Sequence, residues 1–260
     1  MEGTAIAIDG RRWRLVVFDW DGTLMDSTAQ IIEAAVRAIG QLGLPQRPAD
    51  AIREIIGLGL RDSWQRLFPD VAAEHFMPFI EAYRNHYLSA ELAGPLPFRS
   101  TERTLARLSD DGFQLAVATG KSRAGLERDL ERTGLGRYFH ATRTADDCRA
   151  KPCPDMLTEI LAALRSEASA TVMVGDTEWD LEMARLAGVT GVAVTWGAHT
   201  RERLLPLSPA ICLDRLEGLP DWLQDGQSEP GQRAGEPDER QADEAGGVLA
   251  VDALEKRYAQ

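Results

Sequence analysis

Three apolar, β-branched runs stand out along the chain, and each ends on chemically distinctive residues. Leu15-Val16-Val17-Phe18 runs into Asp19-Trp20-Asp21-Gly22-Thr23-Leu24, Phe113 to Ala118 into Thr119-Gly120-Lys121, and Thr171 to Val174 into Gly175-Asp176. Short apolar runs bounded by turn residues read as buried strands. Weaker strand signals fall at Phe139 to Thr142, Val189 to Thr195 and Ala210 to Leu213, and Thr4 to Ile8 with the Asp9-Gly10 turn suggests a short hairpin ahead of Trp13 to Phe18. Helical spacing appears in Ile31, Ala35 and Ile39, where Asp26 or Ser27 can cap, and again over Thr101 to Gly112, Leu126 to Leu135, Met156 to Leu164 and Trp179 to Leu186. Strand followed by helix, repeated, predicts an α/β fold: a doubly wound parallel sheet covered on both faces, with ligands beyond the carboxyl ends of the strands.

One stretch breaks that rhythm. From Leu44 to about Leu96 the pattern is helical throughout, over Ala49 to Ile56, Leu60 to Phe68 and Ala72 to Leu92, before Gly94-Pro95-Leu96-Pro97 leads back. About 50 to 70 residues of helix is too long for an ordinary crossover and predicts an inserted helical subdomain. Its stripe of Phe76, Phe79, Ile80, Tyr83 and Tyr87 reads as packing between the insert's own helices. In Gly57-Leu58-Gly59-Leu60-Arg61 the two glycines allow close backbone approach, and Arg61 either meets an anion there or sits solvated on a helix joint. The boundaries expected are a core over 1–26 and 97–224 and a helical cap over 27–96. The Gln-, Gly-, Glu- and Pro-rich run 225–247 reads as a disordered acidic linker, and 248–260 as a short helix with an unspecified partner.

The chain has 260 residues with a formal net charge of -12. That balance disfavours nucleic acid and membrane surfaces, both of which attract basic faces. The run 225–247 holds seven acids against Arg233 and Arg240, so five of the twelve net charges are local to it. Three cysteines, Cys148, Cys153 and Cys212, form no disulfide framework and suit a reducing cytoplasm; with His140 they do not complete a tetrahedral metal site. There is no signal-peptide pattern and no apolar run of about 20 residues.

Placed at the ends of one parallel sheet, the strand tips collect Asp19, Asp21, Thr119, Lys151, Asp176 and Asp180. Four carboxylates in one pocket disfavour each other's ionised form, so a hard divalent cation is expected, and Mg²⁺ suits carboxylate oxygens shared with a phosphate. Lys151 would balance the remaining charge, and the Thr119 hydroxyl with nearby N–H groups, Gly120 included, could bind phosphate oxygens.

These motifs, Asp19-Trp20-Asp21-Gly22-Thr23, Thr119, Lys151-Pro152 and Gly175-Asp176 with Asp180, occur in the order of, and resemble, those of the haloacid dehalogenase superfamily, over about residues 14 to 214. The resemblance implies a Rossmann-like core with a helical cap, most like that of the phosphoglycolate phosphatases. It further implies Asp19 as nucleophile forming an aspartyl-phosphate, Asp21 as general acid and base, Thr119 and Lys151 as catalytic and phosphate-binding residues, and Arg61 as a substrate contact from the cap. The metal ligands it implies are Asp19, the backbone carbonyl of Asp21 and Asp176, with Asp180 bound directly or acting from behind them. An acid at position 21 disfavours the dehalogenase branch, since halide leaves without a proton. The expected activity is Mg²⁺-dependent hydrolysis of a small phosphorylated metabolite. A phosphomutase, a pyrophosphatase and a phospho-aspartate receiver domain are the alternatives.

Overall fold

The structure is a computed structural model, described here for residues 12–89 and 96–226. Six strands, β1 (Leu15–Phe18), β2 (Gln114–Thr119), β3 (Ala141–Thr144), β4 (Thr171–Gly175), β5 (Thr190–Val194) and β6 (Cys212–Leu213), form one sheet in the order β3-β2-β1-β4-β5-β6. Every pairing is parallel. β1 lies centrally, with Val16 beside Leu115 on one edge and Val172 on the other.

The two-residue period of a strand decides which side each residue covers. Val16 and Phe18 pack with Leu115, Val117, Val172 and Val174 on one face, whereas Leu15 and Val17 pack with Ala116, Ala118 and Met173 on the other. All four β1 side chains are fully buried. Each contributes about 1.5–3 kcal/mol relative to an exposed position, which is why the run carries no polar residue until the sheet ends. The first face is covered by α5 (Thr101–Asp110), α6 (Arg123–Thr133) and α10 (Gly218–Asp225), the second by α7 (Asp155–Leu164) and α8 (Glu178–Leu186). A short α9 (Arg201–Leu204) packs near β5 through Leu204.

Between β1 and β2 lie α1 (Thr28–Gln41), α2 (Ala49–Arg53), α3 (Leu60–Leu67) and α4 (Phe76–Ser89). They bury a separate apolar cluster built on Ile39, Ile52, Trp64, Phe68, Phe79 and Ile80, so this insert has a core of its own. Its aromatic rings interlock, with Trp64 4.7 Å from Phe68 and 5.4 Å from Phe79.

Several local expectations differ from the structure. Ser27 stands at the start of α1, yet its hydroxyl donates to the Met25 carbonyl rather than capping the helix, and the backbone N–H of Asp26 donates to the Leu96 carbonyl of the returning segment. α2 stops at Arg53 because the chain must turn through Gly57, at φ 95°. Helix α10 is absent from the sequence reading; it forms because Leu219 and Leu223 are fully buried and Trp222 stacks on Trp13 at 6.0 Å. The Thr4 to Ile8 hairpin, most of the 225–247 linker and the 248–260 helix fall outside the described residues. Among the described residues no helix is long and apolar enough to cross a membrane.

Candidate active site

Asp19 is the first residue past β1, its N–H still donating to the Val174 carbonyl at 2.9 Å. The chain then turns through Gly22 at φ 87°, where a Cβ would lie 2.4 Å from Asp176 Oδ2. Only glycine fits, and the tight turn is what lets the two loops meet. Asp176 follows β4 and is aimed by two donors, the Thr23 hydroxyl at 2.8 Å and the Ala198 N–H at 2.7 Å. Asp180, on the first turn of α8, accepts from the Thr177 N–H at 3.1 Å and hydroxyl at 2.6 Å, a capping box that fixes its rotamer. Gly175 and Gly197 crowd these acids so closely that a Cβ would fall 2.3 Å from Asp180 and 2.2 Å from Asp176.

Asp19, Asp176 and Asp180 thus offer carboxylate oxygens within 4.8 Å of one another, all buried. Lys151 lies between two of them, its Nζ 2.5 Å from Asp19 Oδ1 and 2.7 Å from Asp180 Oδ1. One cation against three carboxylates leaves an excess of negative charge. Burial, and then Asp180 and Asp176, push Asp19 well above the usual carboxylate range against the pull of Lys151. Burial and Asp180 push Asp176 up to about 6. Burial alone would lower Lys151, but Asp180 and Asp19 outweigh it and hold the ammonium charged. Asp19 Oδ2 is buried without any hydrogen-bond partner. An orphaned carboxylate oxygen among surplus oxygen donors fits a hard divalent cation.

Of the other residues singled out from sequence, Thr119 is buried at the end of β2 and accepts from the Lys121 N–H at 3.2 Å. Gly120 lies against the insert, where a Cβ would be 2.5 Å from the Gly57 carbonyl oxygen; this is the close approach that the paired glycines of the 57–61 turn suggested. Asp21 does not join the acidic triad through its carboxylate: both oxygens face Lys121 Nζ, at 3.1 and 3.0 Å. Arg61 is exposed, its guanidinium 5.2 Å over the Phe76 ring, and it borders a cleft lined also by Gly120 and Lys151, adjacent to the cavity that holds Asp19. The three cysteines are free thiols, and burial raises Cys148 to about 11.

That cavity, of about 350 Å³, has Asp19, Asp21 and Thr119 on the sheet side and Ile52, Leu67 and Phe79 on the insert side. Tyr87 also reaches it, with its hydroxyl 3.2 Å from Lys121, so the aromatic stripe of α4 is more than internal packing. The sequence reading missed Thr23, Ala198 and Thr177, the donors that aim the acids, and gave Lys121 no role although it stands two residues after Thr119. His199 was missed as well: it accepts from the Glu178 N–H at Nδ1, and its Nε2 sits 3.3 Å from the Glu54 carbonyl of the insert.

A parallel sheet that brings an acid-rich strand tip, a buried lysine and a hydroxyl residue to one point under a helical insert is an enzyme scaffold of the α/β class, suited to handling phosphoryl groups. The chain belongs to the haloacid dehalogenase-like hydrolase family, whose pattern matches residues 16–194. It is 37% identical over 204 residues to a protein named "probable phosphatase IndB" from Dickeya dadantii, covering 77% of this chain and 89% of that one. It is 31% identical over 185 residues to the phosphoglycolate phosphatase of Aquifex aeolicus, covering 71% and 85%. A haloacid dehalogenase-like family hydrolase from Streptococcus pneumoniae superposes with a TM-score of 0.71 at 22% identity, over 82% of this chain and 99% of that one, and shares the fold.

Proposed function

We propose that this hydrolase is a Mg²⁺-dependent phosphatase that cleaves a small organic phosphomonoester, phosphoglycolate-like in size, through an aspartyl-phosphate on Asp19. The observation that carries the reading is the unpartnered Oδ2 of Asp19 beside a lysine that holds Oδ1 at 2.5 Å. One oxygen is fixed and neutralised in part while the other is free to meet phosphorus or a cation. Asp19, Asp176 and the backbone carbonyl of Asp21 would hold Mg²⁺, with Asp180 aligned behind them by Thr177; the ion supplies neutralisation of the phosphoryl oxygens and of the crowded carboxylates.

The chain's own groups account for the remaining steps. Lys151, the Thr119 hydroxyl and the Gly120 N–H draw charge from the phosphoryl oxygens, the kind of preorganised stabilisation worth about 10²–10³-fold per donor. Asp19 attacks phosphorus, and the leaving oxygen takes its proton from Asp21. Asp21, then ionised, takes a proton from the water that opens the acyl phosphate, and Asp19 is restored. Helices α1–α4 act as a cap that excludes bulk water and contacts the leaving group. Three free thiols suit a reducing compartment such as the cytoplasm.

The cavity favours a second reading of the substrate. Its insert side is mostly apolar, with Ile52, Ile55, Leu67 and Phe79, and of the two arginines that line it Arg84 is exposed and Arg128 is turned to Asp129 at 3.5 Å. A volume of about 350 Å³ is over twice the roughly 150 Å³ that accommodates a benzene ring, so an apolar or aromatic leaving group fits better than a second anionic group. A phosphate-release screen with Mg²⁺ over phosphoglycolate, sugar phosphates, nucleotides, aryl phosphates and pyrophosphate tests both readings. Turnover of monoesters that stops in excess chelator is expected. Hydrolysis of none of them, or release undiminished by the chelator, would remove the proposal.

A further inference from the structure

Beside the acidic triad stands a second, largely buried charge cluster, which joins Asp21 to groups that the reaction as described leaves without a part. Lys121 Nζ contacts both oxygens of Asp21, Asp129 Oδ2 at 3.3 Å and the Tyr87 hydroxyl at 3.2 Å. An ammonium has three N–H bonds, and here three residues claim them. Its flexible four-carbon stem is therefore held in one place, in a side chain only about a tenth exposed. Asp129 is itself buried, and it is oriented by the Trp20 indole N–H at 3.3 Å and approached by Arg128 at 3.5 Å.

Burying such a charge cluster is costly and adds little stability over apolar packing. What the cluster does achieve is geometric. Asp21 sits on a loop, three residues beyond the end of its strand, where a carboxylate is free to rotate. An ammonium facing both of its oxygens fixes the plane of the group, and Asp129 with Trp20 fixes the ammonium from behind. Tyr87 comes from α4 of the insert, whose end is tied to α1 by the Gln30 amide donating to the Tyr87 carbonyl at 3.0 Å. The third partner of Lys121 is thus delivered by the insert and not by the sheet.

We infer that Lys121 is the positioning residue for Asp21, fixing the plane of the carboxyl group that, protonated, hands a proton to the leaving oxygen and, as the carboxylate that faces the ammonium here, takes one back from water, and that Tyr87 makes this alignment depend on a seated cap. The inference rests on the phosphatase reading above, in which Asp21 is the acid. It assigns Asp129 and Trp20 the task of holding Lys121, with no contact to substrate.

The test exploits leaving groups that differ in their need for a proton. An alkoxide must be protonated as it departs, whereas 4-nitrophenolate leaves without help. The full-length protein with Lys121→Met is compared with the parent on 4-nitrophenyl phosphate and on the alkyl phosphate turned over fastest in the screen, by kcat/KM, which reports formation of the aspartyl-phosphate. The alkyl ester should lose about 10²-fold, the lower end of acid–base contributions, and the aryl ester less than about threefold. Tyr87→Phe, which leaves every charge paired, should lose about three- to tenfold on the alkyl ester alone. Equal losses on the two esters, or an unchanged ratio in both variants, overturn the inference. Asp21→Asn separates this from failure of the underlying reading. If it too shows no preference for the aryl ester, Asp21 is not the acid and both claims fall; if it shows one and Lys121→Met does not, only the role of Lys121 falls.

Discussion

Lys151 donates to Asp19 Oδ1 at 2.5 Å, and both side chains are buried. The lysine comes from a loop 132 positions away in sequence, and its second partner is Asp180 at 2.7 Å. Its charge is thus shared between the proposed nucleophile and an acid on α8, which ties activity and stability to one side chain.

That sharing separates two substitutions that act on the same contact. Asp19→Asn keeps the size of the side chain and removes a charge from a cluster with an excess of acids, so the fold should survive with its thermal transition near that of the parent. Phosphate release should fall by at least about 10³-fold, since the residual rate of a hydrolase without its nucleophile comes from binding and charge stabilisation alone. Lys151→Met should instead lower both. Breaking a buried pair leaves Asp19 and Asp180 uncompensated, at about 3–5 kcal/mol, and removes a phosphoryl contact worth about 10²–10³-fold in kcat. Near-normal turnover by Asp19→Asn in a steady-state assay would take the nucleophile role from it.

Much of this arrangement was legible in the chain. The alternation of Leu15 to Phe18 identified a strand buried on both faces, and the acids at its tip announced a site because nothing in a sheet requires them there. Lys151 and Asp176 were found by their motif. What stayed hidden were contacts set only by tertiary packing. Thr23 and Ala198 aim Asp176 across 153 and 22 positions, and no local pattern marks a hydroxyl or an N–H for that task. Arg61 is likewise placed only by packing: its guanidinium lies over Phe76 at the edge of a cleft that Gly120 and Lys151 also line, a position no local pattern marks. Helix α10 escaped because its buried face is short, and its partner Trp13 lies at the far end of the sequence.

The crowding of acids has a measurable pH signature. Asp176 is raised to about 6 from an ordinary value of 3.8, so the folded chain without a cation binds more protons than the unfolded chain between those values. Stability attributable to this group is therefore greatest at low pH and lost as pH rises through about 6. Burial lowers His199, with Arg203 adding to the effect, and its contribution has the opposite sign, lost as pH falls below the ordinary histidine value of 6.5. The two are separated by measuring the increment in Tm on adding Mg²⁺ over a chelator control. A cation competes with the proton on Asp176 but does not touch His199. At a hundred times Kd the ion should add about 2.7 kcal/mol at pH 7.5, or about 5 to 10 °C, and distinctly less at pH 5. An increment independent of pH would disconnect the cation from the triad.

The joint between insert and sheet makes the last prediction. Gly120 follows Thr119, and a Cβ there would stand 2.5 Å from the Gly57 carbonyl oxygen and 2.7 Å from that of Leu58. Both obstacles are backbone, so a methyl group has no flexible side chain to push aside; the 57–58 turn must lift. Gly57 is at φ 95° and packs against Thr177 and Trp179, so it has little freedom to absorb the shift. Gly120→Ala should therefore displace the insert from the 119–121 turn, proposed to bind phosphate, by a fraction of an ångström to an ångström, enough to cost about 10²-fold in kcat/KM. The insert's own core, centred on Trp64 and Phe79, is packed among the insert's helices and should keep its packing. Gly40→Ala serves as the control: it lies in α1 with nothing within 4 Å of a new Cβ, and should leave turnover unchanged while adding about 0.5–1 kcal/mol of stability. If Gly120→Ala matched Gly40→Ala in kcat/KM, the 57–58 turn would not be seated on the 119–121 turn during catalysis.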